Sequence, residues 1–537
     1  MILPPGVSQI EFSAAIEEFN EAVGREWVFT TPEDLNMYRD SFSTVWDTAE
    51  ERLAGAAVAP TSVEQVQAIV RTANRYRIPL FPISTGKNFG YGGPSPNVTG
   101  SVVVDLKRMN RVLEVDETRN FALVEPGVSY FDLYNYIQER GLKLWIDCPD
   151  PGWGSPVGNA LERGIGYTMP FYRDHFGASC GMEVVLANGE VLRTGMGALP
   201  AAKTWQDYRY GFGPDPAGLF AQGNFGIVTK MGFRLMPRPE YYRTGKITVP
   251  KRRDLIALVK TVNYFTDSSL VGEAVYGSPL YALSSNAAFA ETISRPGGPT
   301  DAEMDRFAAD NKLHSWQVEL QFYGPEQTCR ANWEYARERF TRDIPGARCF
   351  DGESLKVPLT PHQLENVDAP YPTSIRRHGS QGVPSLGIWK IVQMDGHAGL
   401  FPIIPRTGEA IFEAQRVFSE TLHEFDLPRF GTALTLPVHW HTFAFQMVFA
   451  PPISRSNPEH NKRMHQAMLK MIEVWARHGW GDYRAAPIYQ DAVSNTYSFN
   501  NHILRRFHEQ MKDATDINGI LAPGRGGVWP RRFRKPG

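Results

Sequence analysis

Cysteine is scarce in this sequence, and its spacing excludes several common kinds of site. The 537 residues contain four cysteines, Cys148, Cys180, Cys329 and Cys349. None of them lies in a CxxC pair, which zinc ribbons and redox motifs require, and none begins a CxxCH haem attachment. Disulfide frameworks are typical of short secreted chains, and this chain is long. We therefore expect four free thiols, no metal site and no c-type haem.

Long apolar runs and a strong net charge are missing as well. No stretch reaches the ~18 apolar residues of a membrane-spanning helix, and the start, MILPPG, lacks the basic and apolar regions of a signal peptide. The formal net charge is −2, whereas proteins that bind nucleic acids or anionic membranes usually carry a basic surface. These absences predict a cytoplasmic protein with no nucleic-acid partner and no membrane partner.

The rest of the composition is that of a large globular protein. Hydrophobic residues make up 42% of the 537 positions, and a chain of this length is too long for one ordinary core, so we expect two domains. Thr61 and Glu64 have the spacing of a capping box and predict the start of a helix. Asn188-Gly189 predicts a hairpin, and Asn457, followed by proline, predicts a second helix start. Alternating short strands and helices indicate an α+β or α/β fold.

A glycine-rich loop is the most informative stretch. Residues 82–93 read PISTGKNFGYGG and follow the apolar run IPLF at 78–81. Successive backbone N–H groups in such a loop form a concave anion site, and Ser84, Thr85 and Asn88 add side-chain donors. The glycine spacing fits neither a Walker loop nor the Rossmann fingerprint. The loop therefore indicates a diphosphate cradle after a strand, with a plain tight turn as the alternative.

The string ISTGKNFGYG at 83–92 closely resembles the FAD diphosphate loop of the vanillyl-alcohol oxidase and 4-cresol dehydrogenase family. The bacterial eugenol oxidases and 4-alkylphenol oxidases are the most similar members, and the resemblance extends from about residue 3 to about residue 533. It implies a two-domain α+β flavoprotein. A PCMH-type FAD-binding domain would span residues 1–239 with a C-terminal return at 482–537, and an α/β cap domain with a mixed or antiparallel sheet would span 240–481.

Four residues match the catalytic site of that family. Tyr91 and the pair Tyr483-Arg484 match the residues that surround the substrate's phenolic oxygen, and Asp150 matches the carboxylate beside flavin N5. Lowering the pKa of a phenol by three units requires about 4 kcal/mol of preferential stabilisation, a scale that one guanidinium and two phenolic donors can supply. Each residue also has an ordinary alternative role, such as a tyrosine or an aspartate in a turn. Asp147 is a nearby carboxylate that lacks the match.

The resemblance also assigns the residues that would hold FAD. His397, in the context GHAG, matches the histidine that is bonded to the flavin 8α-methyl group in oxidases of the family, and His378 is the fallback. Arg525 matches a cation near flavin N1. The other assigned cofactor contacts are Ser84, Thr85, Gly86, Lys87, Asn88, Phe89, Gly90, Pro126, Gly127, Gly158, Asn159, Gly166, Tyr167, Gly226, Ile227 and Val228.

Two segments depart from the family pattern. Where the family usually has Thr-Pro-Tyr-Gly-Asp-His, residues 168–175 read TMPFYRDH and are longer. His439-Trp440-His441 stands in place of Met-His-His. Histidines at i and i+2 of a strand share a face, but no third metal ligand is evident, so pocket lining is the favoured interpretation.

The resemblance implies FAD-dependent oxidation of para-substituted phenols, such as 4-alkylphenols, 4-allylphenols or 4-hydroxybenzylic alcohols. Hydride would pass to flavin N5 and leave a quinone methide, with O2 as the expected electron acceptor and a homodimer as the expected assembly. One alternative is a dehydrogenase that passes electrons to a cytochrome or another acceptor protein. The other is a non-catalytic aromatic-binding flavoprotein, and the complete set of four matching catalytic residues argues against it.

Overall fold

The computed structural model describes most of the chain, namely residues 2–295, 298–360, 381–385, 395–427, 438–441, 444–447 and 452–534. For residues 438–441, 446 and 447 it describes the backbone only. The fallback histidine, His378, lies outside these ranges, as do the side chains of His439 and His441. Every other residue to which the sequence assigns a catalytic or cofactor role is described.

Residues 9–237 form two main sheets with helices beside them. In chain order the elements are α1 (Gln9–Val23), β1 (Val28–Phe29), α2 (Pro32–Leu35), β2 (Ala56–Val58), α3 (Val63–Tyr76), β3 (Leu80–Ile83), β4 (Val102–Asp105), β5 (Val112–Asp116), β6 (Phe121–Val124), α4 (Tyr130–Glu139), β7 (Leu144–Trp145), α5 (Pro156–Leu161), α6 (Pro170–Arg173), β8 (Ser179–Leu186), β9 (Val191–Arg193), α7 (Ala217–Phe220), β10 (Gly226–Arg234) and β11 (Met236–Pro237).

The first sheet is mixed and places the glycine-rich loop. Its strand order is β1-β2-β4-β3, with β4 parallel to both β2 and β3 and β1 antiparallel to β2. Every residue of β2 and β4 is buried, as expected for parallel strands that are covered on both faces. Helices α1 and α3 pack against these strands through Phe12, Phe19 and Ile69. Strand β3 leads directly into the loop.

The second sheet is antiparallel, with the order β5-β6-β10-β8-β9. The hairpin predicted at Asn188-Gly189 is confirmed, because it joins β8 to β9 and Gly189 has a φ of +83°. Helix α4 packs on this sheet through Leu133 and Ile137. Helix α5 contacts β10 of this sheet. Residues of both elements line the same cavity as the loop after β3.

Residues 241–477 form a second region and supply most of a second hydrophobic core, to which Phe42 and Tyr489 also belong. Its described elements are β12 (Tyr241–Val249), α8 (Asp254–Asp267), β13 (Ala274–Gly277), α9 (Ala287–Ser294), α10 (Asp301–Asp310), β14 (Trp316–Gly324), α11 (Glu326–Asp343), β15 (Arg348–Lys356), β16 (Gly396–His397), β17 (Ile403–Ile404), α12 (Gly408–Glu424), β18 (Val438–His441), β19 (Ala444–Met447), β20 (Pro452–Ile453) and α13 (Pro458–Arg477).

An antiparallel sheet of order β13-β14-β12-β15 organises this region, and helices α8 and α11 pack on it around the fully buried Trp333. The helix start predicted at Asn457 is confirmed, since its Oδ1 accepts a hydrogen bond from His460 N at 3.0 Å. The buried face of α13 includes Met464, Met468, Met471 and Trp475. These side chains belong to the core. Both regions combine helices with mixed or antiparallel sheets, which confirms the α+β class.

The chain returns to the first region after α13, through α14 (Pro487–Thr496) and α15 (Phe499–Thr515). Leu521 then forms a parallel bridge with Leu80 of β3, and Ala522 N donates to Leu80 O at 2.7 Å. At the other junction, β11 pairs with β7 whereas β12 belongs to the second region. The division at residues 239 and 240, with a return from 482, falls between these elements and remains our proposal.

One predicted helix start is wrong by one residue. The N-cap of α3 is Ser62, whose Oγ accepts a hydrogen bond from Gln65 N at 3.3 Å, and not Thr61. Thr61 instead donates its N–H to Gln65 Oε1 at 2.7 Å. Serine and threonine are both good N-cap residues, so two adjacent hydroxyls leave the pattern open to a shift of one position.

The four cysteines are free thiols, three of them buried and Cys349 half-buried. Burial raises the pKa of the Cys148 and Cys180 thiols, which keeps both protonated. Among the helices of the described ranges, none combines the length and the apolar composition that a membrane span requires.

Candidate functional site

One cavity brings together residues from distant parts of the chain. Its volume is about 790 Å³, and it lies beside the cradle loop, by which we mean residues 84–93. The residues that line it and to which the sequence assigns a role are Ser84, Thr85, Gly86, Lys87, Asn88, Phe89, Tyr91, Pro126, Asp150, Gly158, Asn159, Tyr167, Gly226, Val228, His397, Tyr483, Arg484 and Arg525. The site predicted from the sequence is thus assembled in one place, whereas the role of each residue stays a prediction.

Four residues assigned to the cofactor are not among those that line the cavity: Gly90, Gly127, Gly166 and Ile227. Each is the sequence neighbour of a lining residue. Gly127 donates its N–H to Met109 O at 2.7 Å, and Ile227 is part of the hydrophobic core. Their direct contact with a cofactor stays a prediction, and the structure gives them a role in packing behind the wall.

The cradle loop takes turns that favour glycine. Gly86 and Gly90 have φ values of +68° and +79°, in the left-handed region that residues with a Cβ seldom adopt. The N–H groups of Tyr91 and Gly93 both donate to Asn88 O, at 3.1 and 3.0 Å. The loop therefore folds back on itself at Asn88.

The loop and its surroundings fit a diphosphate-bearing cofactor. A Cβ at Gly158 would collide with Oγ of Ser84, so glycine at this position of α5 leaves room for the Ser84 side chain. Backbone N–H groups in a glycine-rich loop can act as donors to an anion. The cationic side chains of Lys87 and Arg525 line the same cavity. The assignment of Ser84 to Phe89 to the diphosphate of FAD, and of Arg525 to its flavin, stays a prediction.

His397 is held against the cradle loop by backbone pairing. It lies in β16, which pairs with β20, and Gly399 N donates to Gly90 O at 3.1 Å. A Cβ at Gly90 would lie 2.9 Å from His397 Nε2, so glycine at this position leaves the room that the ring needs. Burial lowers the pKa of His397 to about 4, so its imidazole is neutral at physiological pH. A neutral ring nitrogen is the nucleophile that a covalent bond to flavin requires.

Tyr91, Tyr483 and Arg484 meet in the cavity. The Arg484 Cζ lies 3.7 Å from the centroid of the Tyr91 ring, and Arg484 Nη2 donates to Asn88 Oδ1 at 2.5 Å, across 396 positions of sequence. Tyr91 stacks on Phe401 with ring centroids 4.5 Å apart. One guanidinium and two phenolic side chains therefore line the same cavity, a set of groups that can stabilise an anion.

Burial keeps both tyrosines protonated. It raises the pKa of Tyr91 well above its ordinary value, and the nearby charge of Arg484 opposes the effect only in part. Burial likewise raises the pKa of Tyr483 to about 12, although the charge of Arg484 and its hydrogen bond oppose the shift. At neutral pH both hydroxyls are therefore hydrogen-bond donors.

Asp482 joins the segment of Tyr483 and Arg484 to the segment that carries His397, and no sequence pattern singled it out. Its Oδ2 accepts a hydrogen bond from Phe401 N at 2.7 Å, and its Oδ1 accepts one from Arg484 N at 2.8 Å. Burial raises the pKa of Asp482 to about 7, although the two backbone donors oppose the shift. The carboxyl group thus connects two stretches of backbone behind the cavity wall.

The two neighbouring carboxylates, Asp147 and Asp150, have different surroundings. Asp150 lines the cavity. Asp147 does not: it accepts a hydrogen bond from Thr168 N at 2.8 Å and lies 2.7 Å from His175 Nε2. Asp147 therefore anchors both ends of the lengthened segment 168–175, and Asp150 is the carboxylate placed to meet a cofactor or substrate.

Glu162 is a charged residue of the cavity that sequence reasoning missed. It forms ion pairs with Arg525 and with Arg484, and in the second pair Arg484 Nε lies 3.8 Å from Glu162 Oε2. Burial lowers the pKa of Arg525 to about 10, which leaves it charged at neutral pH. The one available signal was position, since Glu162 follows Asn159 by three residues in a segment already assigned to the cofactor.

Comparison with known proteins finds a matching family model and relatives of nearly full length. A family model described as an FAD binding domain matches residues 54–195. The flavoprotein subunit of 4-cresol dehydrogenase [hydroxylating] from Pseudomonas putida is 32% identical, with 98% of each chain covered. The 1'-carboxy-chondrochloren decarboxylase of Chondromyces crocatus is 39% identical, over 95% of this chain and 96% of the relative. A solved structure of 4-ethylphenol oxidase from Gulosibacter chungangensis with isoeugenol has a TM-score of 0.83 at 36% identity, covering 99% of this chain and 100% of the other.

The matched FAD-binding domain contains the whole cradle loop. With the two-region α+β fold, this match defines the protein as an FAD-dependent oxidoreductase with a PCMH-type cofactor domain, as the sequence predicted. Identity above 30% over nearly the full length narrows the class further. The chain belongs to the vanillyl-alcohol oxidase and 4-cresol dehydrogenase family of flavoproteins.

Proposed function

We propose that this enzyme oxidises para-substituted phenols at the carbon attached to the ring para to the hydroxyl. The observation that carries the proposal is the meeting of Tyr91, Tyr483 and Arg484 in one cavity with the cradle loop. Two relatives of nearly full length are named for such substrates, 4-cresol and 4-ethylphenol. The names support the substrate class, and the residues supply a physical reason for it.

Arg484 and the two tyrosines bind the substrate as a phenolate in this proposal. A simple phenol has a pKa near 10, and burial holds the pKa of Tyr483 at about 12 and that of Tyr91 well above its ordinary value. Both tyrosines therefore stay protonated and can donate hydrogen bonds to the substrate oxygen. The guanidinium supplies the compensating charge, and the two hydroxyls donate hydrogen bonds to the phenolate oxygen.

The phenolate drives the oxidation. Its electron density moves into the ring, hydride leaves the para-attached carbon, and a quinone methide forms. When bound, FAD supplies the hydride acceptance at N5 that this step requires. Water then adds to the quinone methide, or the carbonyl forms directly from a 4-hydroxybenzylic alcohol. Asp150, at the cavity wall, is the general base for the incoming water.

His397 carries the covalent attachment in this proposal. Its support is the ring's position beside Gly90, its neutral imidazole and its match to the histidine of the family's oxidases. Because that match lies among oxidases, we propose O2 as the electron acceptor, reduced to H2O2. We propose a homodimer as the assembly on the family resemblance alone. A dehydrogenase with a protein acceptor is the rival within the family, since one relative is named as a dehydrogenase and another as an oxidase.

The test is an anaerobic mixing experiment with the purified holoenzyme. The flavin absorbance should bleach with 4-alkylphenols and with vanillyl alcohol, and air should restore it with release of H2O2. The panel includes a phenol with a carboxyl group on the para-attached carbon, because one relative is named as a decarboxylase. Bleaching that only an added acceptor reverses would select the dehydrogenase. A spectrum that no phenol bleaches would contradict the proposal and leave a non-catalytic binding protein.

A further inference from the structure

Glu162 connects two arginines to which the sequence assigned separate tasks. It lies at the C-terminal end of α5 and lines the cavity, and its side chain pairs with both Arg484 and Arg525. All three side chains are largely buried, with exposed fractions of 17% for Glu162, 11% for Arg484 and 12% for Arg525. We call these three residues the arginine cluster.

The backbone around Glu162 is fixed by Gln222. The Gln222 Nε2 donates to Glu162 O at 3.3 Å and to Tyr483 O at 2.8 Å. Its backbone N–H donates to Leu161 O at 2.7 Å. One side chain therefore ties the end of α5 to the segment of Tyr483 and Arg484, so the position of the carboxylate relative to Arg484 is set by hydrogen bonds and not by the ion pair alone.

The charges of the cavity are nearly balanced. The charged side chains that line it in the described ranges are the cations Lys87, Arg484 and Arg525 and the carboxylates Asp150 and Glu162. One positive charge is in excess. Glu162 is the carboxylate that pairs with two of these cations, so its charge weakens the field of both arginines in a site that excludes much of the water.

We propose that Glu162 is a positioning residue that also couples the two anion sites of the enzyme, by sharing one negative charge between Arg484 and Arg525. The phenol half of this inference rests on the proposed function, because Arg484 is there the partner of the phenolate. The flavin half rests on the FAD-dependent class of the protein and on the predicted place of Arg525 beside the flavin. Glu162 opposes both a phenolate beside Arg484 and a reduced, anionic flavin beside Arg525.

The sign of the effect separates this role from a merely structural one. Loss of the Glu162 charge should strengthen the field of both arginines together. The reduced flavin and the bound phenolate should then both become more stable. A residue that only held the arginines in place would give the opposite result, because displaced guanidinium groups would stabilise neither anion.

The test uses Glu162→Gln in the holoenzyme, a change that keeps the shape and removes the charge. The midpoint potential of the flavin should rise, by about 30 mV if the equilibrium constant for reduction increases tenfold. The apparent pKa of bound 4-bromophenol, a phenol with no hydride to lose, should fall by about one unit for a tenfold shift in its ionisation. Absorbance titrations measure both quantities without turnover.

Two further variants complete the design. Glu183 is a matched control, because it is a buried carboxylate between Arg193 and Lys230, at 2.8 and 2.7 Å, and does not line the cavity. Glu183→Gln should leave the flavin potential and the phenol titration unchanged. Glu162→Asp keeps the charge, so its potential should lie closer to that of the wild type than the potential of Glu162→Gln does.

The flavin potentials of Glu162→Gln and Glu162→Asp decide whether Glu162 has this role. A potential that rises in Glu162→Gln, and rises less in Glu162→Asp, supports the coupling. A potential that stays constant or falls, or equal shifts in the two variants, overturns it. If the proposed function is wrong, no phenol will reduce the flavin of the wild-type enzyme. The potentials of the variants still decide the flavin half of the inference in that case.

Discussion

The cradle loop and the arginine cluster form two parts of the same cavity wall by different means. The loop is continuous in sequence, and its shape comes from backbone turns at glycines with positive φ. The arginine cluster is assembled from three separate segments, and its shape comes from side-chain charges that are held by a few hydrogen bonds. Backbone N–H groups keep their partial charge at any pH, whereas side chains add full charges that one substitution removes.

From this difference we expect the two parts of the cavity wall to affect different properties of the enzyme. We expect changes in the loop to affect how firmly FAD is held, and changes in the arginine cluster and its neighbours to affect how fast the flavin is reduced. Three substitutions outside the loop test this separation, since each should slow flavin reduction and leave FAD bound. A variant that lost both properties at once would contradict it.

The largest effect is expected for Arg484→Ala. A buried phenolate would lose a charged partner, a loss worth about 3–5 kcal/mol, so the rate of anaerobic flavin reduction should fall by roughly 10²-fold or more. The FAD content should stay that of the wild type, because the variant removes one hydrogen bond to Asn88 Oδ1 but leaves the backbone hydrogen bonds of the cradle loop in place. Stopped-flow absorbance with a 4-alkylphenol measures the rate, and the visible spectrum measures the FAD content.

Arg484→Lys is the matched control for charge. It should recover only part of the rate, because an ammonium group cannot reproduce the planar fork of the guanidinium, which also donates to Asn88. A reduction rate near that of the wild type in Arg484→Ala would remove this residue from the phenolate site.

The next effect is expected for Asp150→Ser. Reduction should slow by about 10²-fold, because Asp150 matches the carboxylate beside flavin N5 and would stabilise that edge of the flavin electrostatically as hydride is transferred. The dissociation constant of the phenol should change only a few-fold, since an interaction made mainly in the transition state affects rate and not binding. Asp147→Asn is a useful comparison, because Asp147 does not line the cavity. If binding weakens in Asp150→Ser while the rate holds, Asp150 is a binding residue.

The smallest effect is expected for His397→Ala. FAD should remain bound through the cradle loop, because the diphosphate contacts do not depend on the covalent link. The electron-withdrawing link would be lost, so reduction should slow roughly tenfold, and a shift of about 30 mV corresponds to a tenfold change for a two-electron couple. Acid precipitation should leave the yellow colour in the wild-type pellet and release it from the variant. Wild-type protein that releases all of its flavin would contradict the attachment.

The contrast between a continuous loop and a cluster assembled by the fold also explains which features could be predicted from the sequence. The cradle loop, the hairpin at Asn188-Gly189 and the start of α13 at Asn457 are local, because each depends on residues within a few positions of one another. The start of α3 at Ser62 shows the limit of local patterns, since Thr61 beside it offers the same chemistry. Element types are therefore clear from the sequence, but boundaries shift by a residue.

Glu162 and Asp482 could not be predicted in this way. Their roles depend on partners that only the fold brings near, such as Arg525 for Glu162 and Phe401 for Asp482. The residues found in advance, such as Tyr91 and Arg484, were found because they match a family motif. Carboxylates that support such residues have ordinary local contexts, and three-dimensional contact is the first evidence of their role.

The central claim, that a bound phenolate drives the reaction, has a direct test. Anaerobic flavin reduction is measured with 4-ethylphenol and with its methyl ether, 4-ethylanisole, which has the same para group but no proton to lose. Binding of each compound to the oxidised enzyme is measured by difference absorbance, so that weak binding is not mistaken for slow reaction. The account predicts rapid bleaching with the phenol and none with the saturating ether. Bleaching of the flavin by both compounds at similar rates would contradict it.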